Sequence, residues 1–311
     1  MNIIGVDDKK TIINTLEKML HKIDPDGQHM TLKDIAVKFD LDREEQAIFT
    51  EYTRNRFDDI EEITAPDSGF LVMWEKIVSY ANIFGADAVI NQKICLKRPV
   101  SFNSPDTLDI RIYDSFVGKI PVISVRDTTD FEQLVTNIAY KGVRPDGIEK
   151  TGASFISGKT TRFIILSAKP YSNVPASELG LSDGNAWCEK SLLLRQAHEC
   201  THYFTKQTYG ISNNILHDEI MADFIGMYEA FGFYKAEWFL RFMGFIEGSG
   251  SRLLFYTKNL PENVRKAVSE LAVLSAEGLE RWSKIDIFKT MSTDERIRQM
   301  CRMGFEGFTL L

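Results

Sequence analysis

The run TRFIILSA at residues 161–168 sets four large apolar residues in a row, Phe163 to Leu166, β-branched at its centre, with Pro170 just beyond. A short apolar run of that composition with a proline stop reads as a strand, the strongest in the chain. A strand needs neighbours, and two more candidates precede it. DIRIYDSF at 109–116 alternates apolar and polar residues as a half-buried strand does, and KIPVISV follows at 119–125. Elsewhere the period is helical. FLVMWEKIVSYANIFG (70–85) reads as helix, DFEQLVTNIAYKG (130–142) reads as a helix closed by Gly142, and almost everything from residue 187 onward reads the same way.

The first 66 residues also carry a helical pattern. Ile13, Leu16 and Leu20 recur at helical spacing in TIINTLEKML, Pro25 and Gly27 break the chain in IDPDGQ, and Thr31 is placed to cap the next helix. The order of helices, a few strands, then helices predicts an α+β fold. It is mostly helical, with a small mixed sheet preceding the helix that carries the candidate site. The loop TAPDSG at 64–69 suggests a boundary between an acidic helical region, 1–66, and a main domain, 67–311.

Charge narrows the functional classes. The net charge is −7. Residues 31–49, TLKDIAVKFDLDREEQAIF, have a faint helix-turn-helix look, but residues 1–66 hold 15 Asp and Glu against 9 Lys and Arg. A surface of that sign is repelled by a phosphate backbone and by an anionic membrane surface, so neither nucleic acid nor membrane is an expected partner. No apolar run reaches the eighteen residues of a membrane span. The opening MNIIGVDDKK places Asp7 and Asp8 where a secretory signal has its apolar core. The four cysteines, at 95, 188, 200 and 301, are scattered without metal-ligand spacing and are expected as reduced thiols of a cytoplasmic protein. Oligomeric state is not legible.

The chemistry lies in HECTH, residues 198–202, inside the helical stretch WCEKSLLLRQAHECTHYFTKQTYG that Gly210 closes. Residues four apart share a helix face, so His198 and His202 point the same way and can hold one metal ion. Glu199 is turned by about 100° and can act as general base beside the metal without ligating it. A third ligand comes from ILHDEIMADFIGMYEAFG, a second helix with Asn213 or Asn214 as its expected cap and Gly232 as its stop. Its Glu219, 17 positions after His202, supplies a carboxylate, and Asp223 one turn later can orient a ligand histidine.

HECTH followed by EIMAD (219–223) resembles the HExxH and ExxxD pair of the gluzincin group of zincin metallopeptidases, the thermolysin-like clan. The resemblance covers residues 162–223. It implies one Zn²⁺ held by His198, His202 and Glu219, Glu199 as general base, Asp223 behind a histidine, and a peptide or protein as substrate. It also implies that the strand before the active helix, here TRFIILSA, pairs with extended substrate. The oxyanion donor is then a tyrosine or arginine, since no histidine follows His217, and Tyr228, Tyr234, Tyr256 and Arg252 are the candidates. His217 and Tyr209 are further candidates for lining the site, against a surface place at a helix start for His217. Arg195, one turn before His198, is expected in a structural salt bridge or on a substrate carboxylate. Cys200 reads as a small core residue, and FGFYKAEWFLRFMGF (231–245) reads as core. Two other readings share these residues. One is a non-haem iron oxygenase, for which two histidines and a carboxylate are also the donor set for Fe²⁺. The other is a non-catalytic, metal-binding regulatory protein.

Overall fold

The computed structural model describes residues 29–58, 60–63, 69–157, 162–211, 215–245 and 252–311. The expected helix in TIINTLEKML, the IDPDGQ break, most of the TAPDSG loop and the caps Asn213 and Asn214 lie outside them. The fold is α+β, with twelve helices and one mixed four-stranded sheet among the described residues. No described helix is long and apolar enough to cross a membrane. The chain divides into two compact units, residues 63–210 and the described residues up to Glu62 with Ile211–Leu311.

In the all-helical unit, α1 (Leu32–Lys38) and α2 (Arg43–Thr53) come first. Thr31 closes a capping box with Asp34 and Asp42 one with Glu45, so both starts are set by local chemistry. The sheet unit follows with α3 (Leu71–Phe84), ended by Gly85 at φ +90°, and a short α4 (Ala86–Val89). Strand β1 (Asp109–Ser115) runs antiparallel to β2 (Gly118–Val125). Helix α5 spans Thr128–Ala139 rather than the expected 130–142, because Asp127 caps it early and Gly142, at φ +85°, returns its N–H to the carbonyl of Thr136. Strand β3 (Ala153–Ser157) and β4 (Arg162–Ser167) complete the sheet, in the order β1-β2-β4-β3. β4 is parallel to β2 and antiparallel to β3. The long helix α6 (Gly184–Tyr209) closes the unit at Gly210, φ +73°.

The alternation along β2 and β4 sorts two cores. Ile123, Val125, Phe163 and Ile165 face Trp74 and Ile77 of α3 and Phe131, Leu134 and Val135 of α5. Ile120, Val122, Ile164 and Leu166 face Leu192, Cys200 and Tyr203 of α6. The sheet therefore lies between α3 and α5 on one face and α6 on the other.

The rest of the helical unit is α7 (Leu216–Phe231), α8 (Ala236–Met243), α9 (Arg252–Thr257), α10 (Glu262–Lys284), α11 (Asp286–Thr290) and α12 (Thr293–Leu310). Val264, Val268, Leu271, Leu279 and Trp282 line α10 at helical spacing and are buried. A Cβ on its Gly278 would sit 2.0 Å from the Phe308 carbonyl oxygen, so α10 and α12 touch through backbone. Trp238, Phe239, Phe242 and Met243 of α8 are buried, as expected of the aromatic run.

One expectation carried by the resemblance fails. β4 has β2 on one edge and β3 on the other, so its backbone groups are committed to the sheet and cannot pair with extended substrate.

Candidate metal centre

Helix α6 starts on Asp183, whose carboxylate accepts the N–H groups of Asn185 and Ala186. Its residues from Leu194 to Thr205 are buried except Glu199, which is half-buried. The Nε2 atoms of His198 and His202 approach to 3.1 Å, with their rings edge to face. Two nitrogen ligands about 2.0–2.1 Å from a tetrahedral ion are ~3.3 Å apart, so the pair is already near the spacing of a shared metal.

The Tyr171 hydroxyl lies 3.0 Å from His198 Nδ1. With Nδ1 carrying the hydrogen and donating to that oxygen, Nε2 presents a lone pair to a metal. Tyr171 is held in turn by Arg195, whose guanidinium lies over its ring at 5.4 Å. The N–H groups of Arg195 donate to the carbonyls of Ser167, Lys169 and Pro170, which fastens the end of β4 and the start of the next loop onto α6. Gly152 leaves the room for this carbonyl clamp, since a Cβ there would meet Arg195 Nε at 2.3 Å. Cys200 is a buried core residue against the sheet, as read from the sequence.

Glu219 and Asp223 are one turn apart on α7, and both are buried. Arg252 on α9 donates from Nη1 to Asp223 at 2.8 Å and from Nη2 to Glu219 at 2.8 Å. Tyr256, one turn along α9, lies beside Glu219, and its hydroxyl is pushed far above the usual phenol range, first by burial and then by the Glu219 carboxylate. Of the four candidate donors, Arg252 bonds the third ligand and Tyr256 lies beside it. Tyr228 instead packs on Phe224 and Phe288, under the guanidinium of Arg296 at 4.5 Å. Tyr234 is buried against Phe224. His217 is enclosed by Phe57, Phe305 and Phe308 at ring distances of 5.7, 5.2 and 5.2 Å, so the surface place expected for it is corrected to an aromatic core. Tyr209 is buried at the last turn of α6.

Among the described residues, one group of three His, Cys, Asp or Glu side chains can hold a metal ion: His198, His202 and Glu219, whose ligand atoms all lie within 4.8 Å of one another. Two imidazoles and a carboxylate are a donor set that fits Zn²⁺ and Fe²⁺ alike. Sequence reasoning found these three and missed Tyr171. Its only local signal is the loop KPYSN, where Ser172 and Asn173 take positive φ of 51° and 59°.

The family model described as "Family of unknown function (DUF7005)" matches residues 87–161 and 159–309, and HECTH and EIMAD both fall in the second stretch. No curated protein and no solved structure matches the chain.

Proposed function

We propose that this chain, which belongs to the DUF7005 family of unknown function, is a zinc-dependent metallopeptidase. The observation that carries the reading is the grouping of His198, His202 and Glu219 within 4.8 Å, with Glu199 directly after the first histidine. His198 and His202 would hold the ion through Nε2 and Glu219 through a carboxylate oxygen. When bound, zinc supplies Lewis acidity to water and to a peptide carbonyl. Glu199 is half-buried, within reach of solvent, and turned by about 100° from His198. It accepts a proton from the attacking water and passes it to the leaving amine nitrogen. The Tyr256 hydroxyl, beside Glu219, is the tyrosine best supported as a donor to the oxyanion. Since β4 is enclosed, the backbone edges open to an extended peptide among the described strands are those of β1 and β3.

The test is metal content together with peptide hydrolysis for four forms of the full chain. Wild type should carry about one zinc, and His198→Ala and Glu219→Ala should lose it. Glu199→Gln should keep the zinc and lose about 10²–10⁴-fold in hydrolysis of a peptide library. Full activity in Glu199→Gln would sink the assignment of the base. Iron in place of zinc would shift the reading to oxygenase chemistry, and a metal-free wild type would end the enzymatic reading.

A further inference from the structure

A second feature lies in the sheet unit and uses none of the metal-ligating residues. The parallel strands β2 and β4 are neighbours, and the chain leaves their carboxyl ends in opposite directions. From β2 it turns into α5, on the Trp74 and Phe131 face, whereas from β4 it leads to α6, on the Leu192 and Tyr203 face. Neighbouring parallel strands whose connections depart to opposite faces leave a crevice beyond their carboxyl ends, where open α/β sheets bind ligands. Such a crevice is present here, with a cavity volume of about 470 Å³. Its walls include Arg126 just past β2, Thr128 at the first position of α5, Lys169 just past β4, and Asn185, Cys188 and Glu189 on the opening turns of α6.

The polar groups are those of an anion site held in a resting state. Arg126 is paired side-on with Glu189, through Nη1 to Oε1 and through Nη2 to Oε2 at 3.1 Å, and both side chains are about half exposed, at 49% and 52%. Lys169 gives its ammonium to the Glu149 main-chain carbonyl, a neutral acceptor. Burial, and then the charge of Arg195, lower Lys169 to about 8, while Glu132 and Glu149 act weakly the other way. An ammonium short of counter-charge and a guanidinium on a displaceable carboxylate thus face one cavity, with the hydroxyl of Thr128 and the amide of Asn185 as neutral donors. We propose that this crevice binds a small organic anion through Arg126 and Lys169, with its oxyanion taking the place of the Glu189 carboxylate. The oxyanion is a carboxylate or a phosphate ester, since both fit two cations and two neutral donors.

The test is a thermal-unfolding titration of the full chain with inorganic phosphate and, separately, with succinate. Each is compared with sodium chloride at equal ionic strength, and 1,10-phenanthroline is present so that no anion is held by a metal. The proposal expects a concentration-dependent rise in Tm, because a ligand bound only by the folded state stabilises it. Glu189→Gln frees Arg126 and should tighten binding about three- to fivefold, the equivalent of a half-exposed ion pair. Lys169→Met and, independently, Arg126→Met should weaken it about tenfold or more. A response to phosphate alone identifies a phosphate ester, and a response to succinate alone identifies a carboxylate. No shift beyond chloride, an unchanged response in both cation variants, or a weaker one in Glu189→Gln overturns the proposal. The metallopeptidase reading stands or falls separately, on metal content and Glu199.

Discussion

Arg252→Met removes the guanidinium that takes both Glu219 and Asp223 and leaves a stem of similar bulk. Asp223 is fully buried, the Glu219 side chain is 8% exposed and the Arg252 side chain 23% exposed. Each of the two 2.8 Å bonds is charge-assisted, a class worth about 1.5–3 kcal/mol. Breaking a buried ion pair from one side costs about 3–5 kcal/mol. Water can reach the partly exposed guanidinium position, so the low end applies, about 3 kcal/mol. The assay is urea unfolding of the chain in EDTA, followed by circular dichroism. Arg252→Met should lose that amount, and Arg252→Met with Asp223→Asn should regain about half of it, because one of the two carboxylates no longer carries a charge. Saturating zinc should narrow the deficit of the single variant, since a divalent ion on Glu219 replaces part of the lost positive charge. A loss under about 1 kcal/mol, with no recovery in the double variant, would refute the reasoning, because surface pairs fall in that range.

Three further outcomes are expected. Gly278→Ala should lower the urea midpoint by the equivalent of about 2 kcal/mol, although helix propensity alone favours alanine by about 1 kcal/mol, because the added methyl falls 2.0 Å from the Phe308 carbonyl oxygen; a raised midpoint would refute it. Tyr171→Phe should weaken zinc binding about tenfold in a chelator competition, since it removes the partner of His198 Nδ1; an unchanged affinity would show that the hydroxyl does not orient the ring. Lys169 titrates near 8 when folded and near 10.4 when unfolded, so between those pH values the unfolded chain binds more protons and the lysine's contribution to stability rises with pH. The residue is half-buried, so water screens its charge and the rise is about 1 kcal/mol. Comparing wild type with Lys169→Met by urea unfolding from pH 7.5 to 10.5 should show that rise vanish in the variant, and a parallel pair of pH profiles would refute it.

What was legible in the sequence is what short-range chemistry decides. Thr31, Gly210 and Gly232 mark helix ends because caps and left-handed stops act within a few residues. β2 and β4 show in their apolar runs. β3 was missed because its five residues, four half-buried and one exposed, show no clear alternation. Sheet order is a property of distant segments, so nothing in TRFIILSA reveals that ASFIS will cover its open edge. The same limit separates ligands from their supports. His198 and His202 announce themselves by a spacing of four, whereas Tyr171 is 27 residues from the ring it touches and Arg252 is 33 from Glu219.

The helix that carries HECTH also explains why so compact a motif can coexist with a packed core. Along α6, Leu192, Cys200 and Tyr203 lie on one side and pack against Ile164 and Leu166 of β4. At about 100° per residue, His198 and His202 are turned roughly 130° from that side. The residue inside the motif that serves the sheet is Cys200, buried beside Tyr203. Its neighbour Glu199 falls between the two faces and is the half-buried position of this stretch. Packing and chemistry are therefore assigned to different sides of one helix by its own period. A small apolar replacement such as Cys200→Ala should disturb the sheet contact, seen as a lowered Tm, and leave zinc stoichiometry unchanged. Loss of zinc in Cys200→Ala would show that the two faces are not independent.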